Sequence, residues 1–261
     1  MPWNPQSYEV FADHRMRPAI DLLSRVVLDS PRRIVDLGCG SGNVTGLLAE
    51  RWSRASIVAL DSSAEMLAAA REKTGAEAIE WELVELAAWR PSAPFDLVFS
   101  NAALHWLTDH STLFPRLADA VASGGVLAVQ MPSNFAAPSH SLMHELALEP
   151  PYRAHLESVV RPAPVLDAQA YYRLLAPRFE SIDIWSTEYL QVLRGDNPVA
   201  DWTRATWLGG LLEALPEVMR AGFEDEYRVR VLDAYRKSLD GSTLYPFKRL
   251  FIVATAAGTR C

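Results

Sequence analysis

The run Asp36-Leu37-Gly38-Cys39-Gly40-Ser41-Gly42 sets glycines at alternate positions behind an acid. Glycine permits sharp turns and close approach of backbone to a ligand. Here it lies between a β-branched stretch, Ile34-Val35, and residues at helical spacing, Val44, Leu47, Leu48 and Trp52. A dinucleotide loop needs G-x-G-x-x-G to seat a pyrophosphate on a helix N-terminus. Counted from Gly38 the sixth position is Asn43, and counted from Gly40 it is Thr45, so a dehydrogenase reading fails on spacing. Asp61 closes the next β-branched run, where a carboxylate can accept hydrogen bonds from both hydroxyls of a ribose. Taken singly, the glycines make a tight turn and Asp61-Ser62 a helix cap. Strand, loop, helix, strand and acid in this order point to a nucleoside site.

Other reactive side chains are less organised. His140 and His144 lie four apart, a spacing that can put two metal ligands on one helix face. Glu145 follows the second histidine rather than the first and no third ligand is indicated, so no metal site is expected. His105 could act as a general base or pack within a loop. Cys39 and Cys261 form neither a CxxC motif nor a disulfide framework and are expected to be reduced.

The elements that must carry these residues alternate. Strand patterns at 34–37, 57–60, 79–84, 95–99 and 126–129 are separated by helical stretches, as in parallel sheets with crossover helices. Ser62 with Glu65 reads as a capping box ahead of Met66 and Leu67. Leu113, Leu117 and Val121 share a helical face that should stop at Gly124-Gly125. Beyond residue 131 the rhythm breaks into helical segments at 139–149, from Asp167, from Asn197-Pro198 and over 216–239. Strands return at 182–193 and 250–254. No repeat or linker divides the chain, so a single α/β domain over 1–261 with helical insertions is expected.

Composition supports a folded body, with 49% apolar and 22% charged residues. A net charge of −7 offers no global attraction to nucleic acid or to an anionic membrane. The first residues lack a basic end and apolar run, and no stretch approaches the ~18 to 20 apolar residues of a membrane span. A cytoplasmic protein, favoured as a monomer, with no nucleic-acid or membrane partner is expected.

Residues 35–52 and 59–72 resemble the first two cofactor motifs of class I methyltransferases. The resemblance implies a Rossmann-like seven-stranded sheet, mostly parallel with an antiparallel final strand, plus helical cap insertions. It also implies S-adenosyl-L-methionine as cofactor. Asp36 would sit near the methionine amino group, with Gly38, Gly40 and Gly42 giving room. Asp61 would take the ribose, and Ser62 and Met66 would flank the adenosine. Glu85-Leu86 would stand where other members bind adenine, and Tyr8, Asn43 and Asn101 would complete the cofactor set. The segment from Phe95 to Leu107 continues the likeness and is not an N-P-P-Y loop, which argues against methylation of bases.

Further stretches are similar to the trans-aconitate methyltransferases: Trp3-Asn4-Pro5, Tyr8, Phe11 and 15–18, then 127–134, 183–185 and 249–254. This implies a small polycarboxylate substrate esterified on one carboxylate. Arginine forks suit such an acid, and Arg15, Arg17, Arg173 and Arg249 are available, with Arg17 and Arg249 favoured. His105 and Trp106 would line the acceptor side. Arg249 is expected to begin the last strand at the active-site edge. Residues 1–30 would form a lid segment, and 134–177 and 196–247 a substrate cap. A carboxylate is ionised at neutral pH, with an unperturbed pKa near ~4, so no catalytic side-chain base is expected. Another small-molecule acceptor, or a non-catalytic binder of the same cofactor, are the alternatives.

Overall fold

The computed structural model describes residues 12–74 and 79–258. They divide into two compact units. One holds the residues through Pro132, residues 164–187 and those from Arg249 onward; the other holds 133–163 and 188–248. The grouping puts residues 164–177, expected in the cap, with the sheet instead. The reason is α7 (Ala168–Leu175), which packs on α4 (His110–Asp119) through Tyr171 and Phe114, rings 4.4 Å apart.

The sheet runs β3 (Ile79–Leu83), β2 (Ser56–Asp61), β1 (Arg33–Leu37), β4 (Phe95–Asn101), β5 (Val121–Pro132), β7 (Thr243–Thr255), β6 (Ser181–Leu193). The first five of these are parallel neighbours, and β7 is antiparallel to β5. Central strands are covered on both faces, so β1 and β4 read as continuous apolar runs, while the edge strand β6 alternates. Helix α1 (Ala12–Ser24) precedes β1, and α2 (Asn43–Arg51), α3 (Ala64–Thr74) and α4 form crossovers between parallel strands. The chain order reverses between β1 and β4, and the carboxyl ends of strands flanking such a reversal are where α/β sheets bind ligands.

Three sequence boundaries shift. The cap of α3 is Ser63, not Ser62: its Oγ accepts from Met66 N and donates to Glu65 Oε2. Helix α4 ends at Asp119, and Val121 already belongs to β5. Gly124-Gly125 instead marks an irregularity inside β5, where pairing to β4 jumps from Phe95↔Val121 to Leu97↔Val126, as a bulge does. The final strand starts at Thr243, so Arg249 is not its first residue. Arg249 is instead the first residue of β7 in the ladder with β5, opposite Pro132.

The second unit is helical: α5 (Pro138–Ala147), α6 (Arg153–Leu156), α8 (Pro198–Thr203), a π-helical turn (Arg204–Leu208), α9 (Gly209–Ala214) and α10 (Glu217–Ala234). The segment from Asn197-Pro198, expected as one long helix, is broken at Thr206, whose backbone is non-helical. α10 stops five residues short of the expected Leu239, which is fully exposed. Phe223, Tyr227 and Val231 of α10 are buried, with Tyr152 edge-on to Phe223. A chain of hydroxyls runs from Thr203 through Tyr227 to the Ser139 carbonyl, and Ser139 Oγ bonds to Tyr245 and His140. Burial lowers the His140 pKa to about 4, so the ring is neutral at pH 7. Glu149 and Arg230 form a two-pronged ion pair at 2.8 and 2.7 Å that joins the α5–α6 turn to α10.

Candidate functional site

Asp36 is the acid inside the apolar run of β1, and it is buried. Its Oδ2 accepts from Thr45 Oγ1 of α2 at 2.7 Å. Burial, outweighing that bond and adding to the nearby charge of Asp61, pushes the carboxyl from the ordinary range to about 7. A carboxylate so poised ionises fully only when a cation or further donors reach it.

The loop after β1 turns on left-handed glycines: Gly38, Gly40 and Gly42 all have positive φ. The amides of Gly38 and Cys39 both donate to the Leu60 carbonyl, tying the loop to β2. The glycines differ in surroundings. A Cβ on Gly38 would collide with Ala103, and one on Gly42 would stand 2.9 Å from the Trp81 ring and 3.0 Å from Ala70. A Cβ on Gly40 would meet nothing within 4 Å among the described residues. The Cys39 thiol is buried, which raises its pKa and keeps it protonated.

Asp61 ends β2 and grips both sides of the turn. Oδ2 accepts from Gly40 N at 2.8 Å and Oδ1 from Ser63 N at 2.9 Å. Asp61 therefore clamps the turn that precedes α3, whose cap is Ser63, and each oxygen keeps lone-pair capacity. Ser62 is exposed and Met66 is buried in α3. Asn43 opens α2 and donates to Ser41 Oγ at 3.3 Å.

Leu86 lies against the loop, its Cδ1 3.7 Å from where a Gly38 Cβ would stand, and its carbonyl accepts from Arg116 Nη2 at 3.1 Å. Glu85 is exposed and lines a cleft of about 750 Å³ with Arg33, Glu80, Glu82, Trp89 and Phe95. Of the pair predicted to face adenine, only Leu86 touches the glycine loop.

Beyond Asn101, Ala102 takes a left-handed conformation, and its amide donates to the Gln130 carbonyl at 2.9 Å. A short 3-10 turn, Leu104–Trp106, carries His105, buried, with its ring 4.6 Å from that of Trp106. His110 anchors this turn. Its Nε2 lies 3.0 Å from the Leu104 carbonyl, which can only accept, so Nε2 carries the proton. Burial lowers the His110 pKa, and the neutral ring's Nδ1 accepts from Tyr171 OH at 2.5 Å.

Arg249 is buried on β7, and its Nη1 donates to Gln130 Oε1 of β5 at 3.3 Å. Arg17 is exposed on α1, and Arg173 is exposed on α7, donating to Gln169. Tyr8 and the Trp3–Phe11 stretch lie outside the described residues, as does the side chain of Arg15. The structure thus brings Asp36, the glycine loop, Asp61, Leu86 and the start of the 103–106 turn together at the reversal of strand order. Thr45, Ala103 and Gln130 are neighbours that motif reading passed over. Only Gln130 had a signal, as a lone amide in the apolar run Val126-Leu127-Ala128-Val129-Gln130-Met131.

Residues 34–125 match a family model described as a methyltransferase domain. The chain is 46% identical over 252 residues to the trans-aconitate 2-methyltransferase of Azoarcus sp. (strain BH72), covering 97% of this chain and 98% of that one. It is 44% identical over 260 residues to the trans-aconitate 2-methyltransferase of Mycobacterium tuberculosis (strain ATCC 25177 / H37Ra), covering 99% and 98%. Among solved structures, the YcgJ protein from Bacillus subtilis superposes with a TM-score of 0.58 at 13% identity, over 92% of this chain and 99% of that one. Haemonchus contortus phosphoethanolamine N-methyltransferase 2, solved in complex with S-adenosyl-L-methionine, has a TM-score of 0.55 at 15% identity, covering 92% and 52%. The structural likenesses establish the Rossmann-like fold, and the full-length identity establishes more: this chain belongs to the trans-aconitate 2-methyltransferase family.

Proposed function

We propose that the protein transfers a methyl group from S-adenosyl-L-methionine to one carboxylate of trans-aconitate, or of a closely related small polycarboxylic acid, giving the monomethyl ester. The observation that carries this reading is the buried Asp36, raised to about 7, beside a loop whose Gly40 is left clear by the described residues. A carboxylate in that state suits the ammonium of a methionine moiety, and the open side of Gly40 leaves a cradle that a side chain would fill.

Within this proposal Asp36 holds the ammonium, and Asp61 accepts from the ribose with the lone pairs its backbone bonds leave. Gly38, Gly40, Gly42, Asn43, Ser62, Met66, Leu86, Asn101, Tyr8 and Glu85 complete the cofactor set. When bound, the cofactor supplies an electrophilic methyl group. The acceptor is ionised already, so no residue removes a proton. Arg249 binds and orients the acid, with His105, Trp106 and Arg17 assigned to the same side. Orientation alone can supply about 7 to 11 kcal/mol. A water-free pocket favours a reaction in which opposite charges neutralise each other.

A screen of small carboxylic acids with methyl-labelled cofactor tests the reading. Label should appear in a base-labile ester of trans-aconitate. Absence of transfer to every di- and tricarboxylic acid would overturn the acceptor assignment.

A further inference from the structure

A second polar side chain is buried beside Arg249. Gln130 is wholly inaccessible near the end of β5, inside an apolar run. Its Oε1 accepts from Arg249 Nη1 at 3.3 Å. A guanidinium can only donate, so this contact fixes which end of the amide faces Arg249. The NH₂ end is turned away, and Nε2 is buried without a hydrogen-bond partner among the described residues. Buried donors are rarely left unmade, because the desolvation they suffer is not returned.

Register gives the surroundings. Gln130 pairs with Asn101 on β4 and with Phe251 on β7, and Arg249 stands two residues before Phe251. Alternate residues of a strand share a face, so Asn101, Gln130 and Arg249 project from the same face of the sheet. All three stand where β4 and β5 end.

We propose that Gln130 is a positioning and specificity residue for the acceptor. Its carbonyl holds the Arg249 fork in one orientation, and its buried NH₂ donates to a carboxylate oxygen of the acid. The inference rests on the small-polycarboxylate reading above and deepens it, because it names a group that recognises an oxygen of the acid. A carboxylate oxygen supplies the acceptor that Nε2 lacks, next to the Arg249 guanidinium. A protonated amine has no lone pair to offer Nε2, so amine acceptors are rejected at this point.

The test is calorimetric binding of trans-aconitate to protein saturated with S-adenosylhomocysteine, for wild type, Gln130→Glu and Gln130→Met. Gln130→Glu keeps an acceptor for Arg249 but replaces the donor with an anion. Gln130→Met fills the same apolar surroundings without either role and serves if the glutamate variant does not fold. Both should weaken trans-aconitate binding by about 10-fold or more, the size of a hydrogen bond to a charged group. The dissociation constant of S-adenosylhomocysteine itself should stay within about twofold, since Gln130 is assigned no contact with it. The proposal is overturned if folded variants bind trans-aconitate as tightly as wild type, or if S-adenosylhomocysteine affinity falls in parallel, which a structural role would produce. Failure of the acid reading is seen separately, as wild type that neither binds nor esterifies any polycarboxylate, and this assignment would fall with it.

Discussion

Gly38 and Ala103 approach so closely that a Cβ on Gly38 would come 2.2 Å from the Ala103 Cβ. The contact joins the loop after β1 to the turn after β4, across the reversal of strand order. Gly38→Ala should therefore combine overlap with left-handed strain, each costing about 1 to 3 kcal/mol. A domain of this size loses about 2 to 4 °C of Tm per kcal/mol, so a drop of about 5 °C or more is expected in a thermal melt. Gly40→Ala carries only the strain, about 1 kcal/mol, and should melt nearer to wild type while binding cofactor less well. Equal melts for the two variants would contradict the geometry.

Asp36 sets a pH dependence with a defined sign. Its folded pKa is about 7, above the unfolded carboxylate value. Between those values the folded state holds a proton the unfolded state has lost, so this group's contribution to stability falls as pH rises from about 4 to about 7. Cofactor binding runs the other way, because an ammonium prefers the ionised carboxylate. S-adenosyl-L-methionine affinity should rise between about pH 6 and about pH 8 with release of a proton. Titrations in buffers of different ionisation enthalpy would count that proton. Asp36→Asn should bind weakly with a flat pH profile, and a flat profile in wild type would dissociate Asp36 from the ammonium.

Asp61→Ala removes the acceptor for both Gly40 N and Ser63 N. Loss of these two backbone contacts should cost about 1 kcal/mol or more of stability. Loss of a charged acceptor for ribose hydroxyls should weaken cofactor binding by about 10-fold or more. Calorimetry with a parallel melt checks both. A lower Tm with an unchanged dissociation constant would leave Asp61 as a loop clamp alone.

Arg249→Ala should lower kcat/KM for trans-aconitate by about 30-fold or more, since losing one partner of a buried charge pair costs about 2 to 5 kcal/mol. Arg249→Lys keeps the charge without the fork and should fall between alanine and wild type. Cofactor affinity should hold steady, and a monocarboxylate acceptor should be nearly indifferent. Steady-state kinetics of wild type and the two variants on both acids would expose an Arg249 with no substrate role.

His105→Ala should spare most of the turnover number, because the acceptor needs no deprotonation. A loss beyond about 10³-fold in kcat, within the range of general acid–base effects, would show that the acceptor arrives protonated.

Much of the architecture follows from local pattern. Apolar runs in β1 and β4, alternation in β6 and the glycine spacing at 38, 40 and 42 are properties of short segments, so they are readable in order along the chain. Asp36 and Asp61 could be singled out for the same reason, as one acid inside such a run and one at the end of another. Boundaries decided by competing contacts could not. Ser62 and Ser63 have equal capping chemistry, and only the path of the chain out of β2 puts Ser63 Oγ at the Met66 amide. Gly124-Gly125 has the composition of a helix stop, but pairing to β4 makes it a strand irregularity.

The chain's residue order determined the sheet, the cofactor loop and the acids that flank it, because backbone conformation and burial period are written within a few residues of each other. Tertiary structure alone decided what each chemical group meets. Arg249 and Gln130 are 119 positions apart and bond only because β7 runs antiparallel beside β5. Glu85 and Leu86 are adjacent in sequence, yet one faces an open cleft and the other the glycine loop. Asp36 is an ordinary aspartate by type; its raised pKa comes from strands that close over it and remove the water that would otherwise keep it charged.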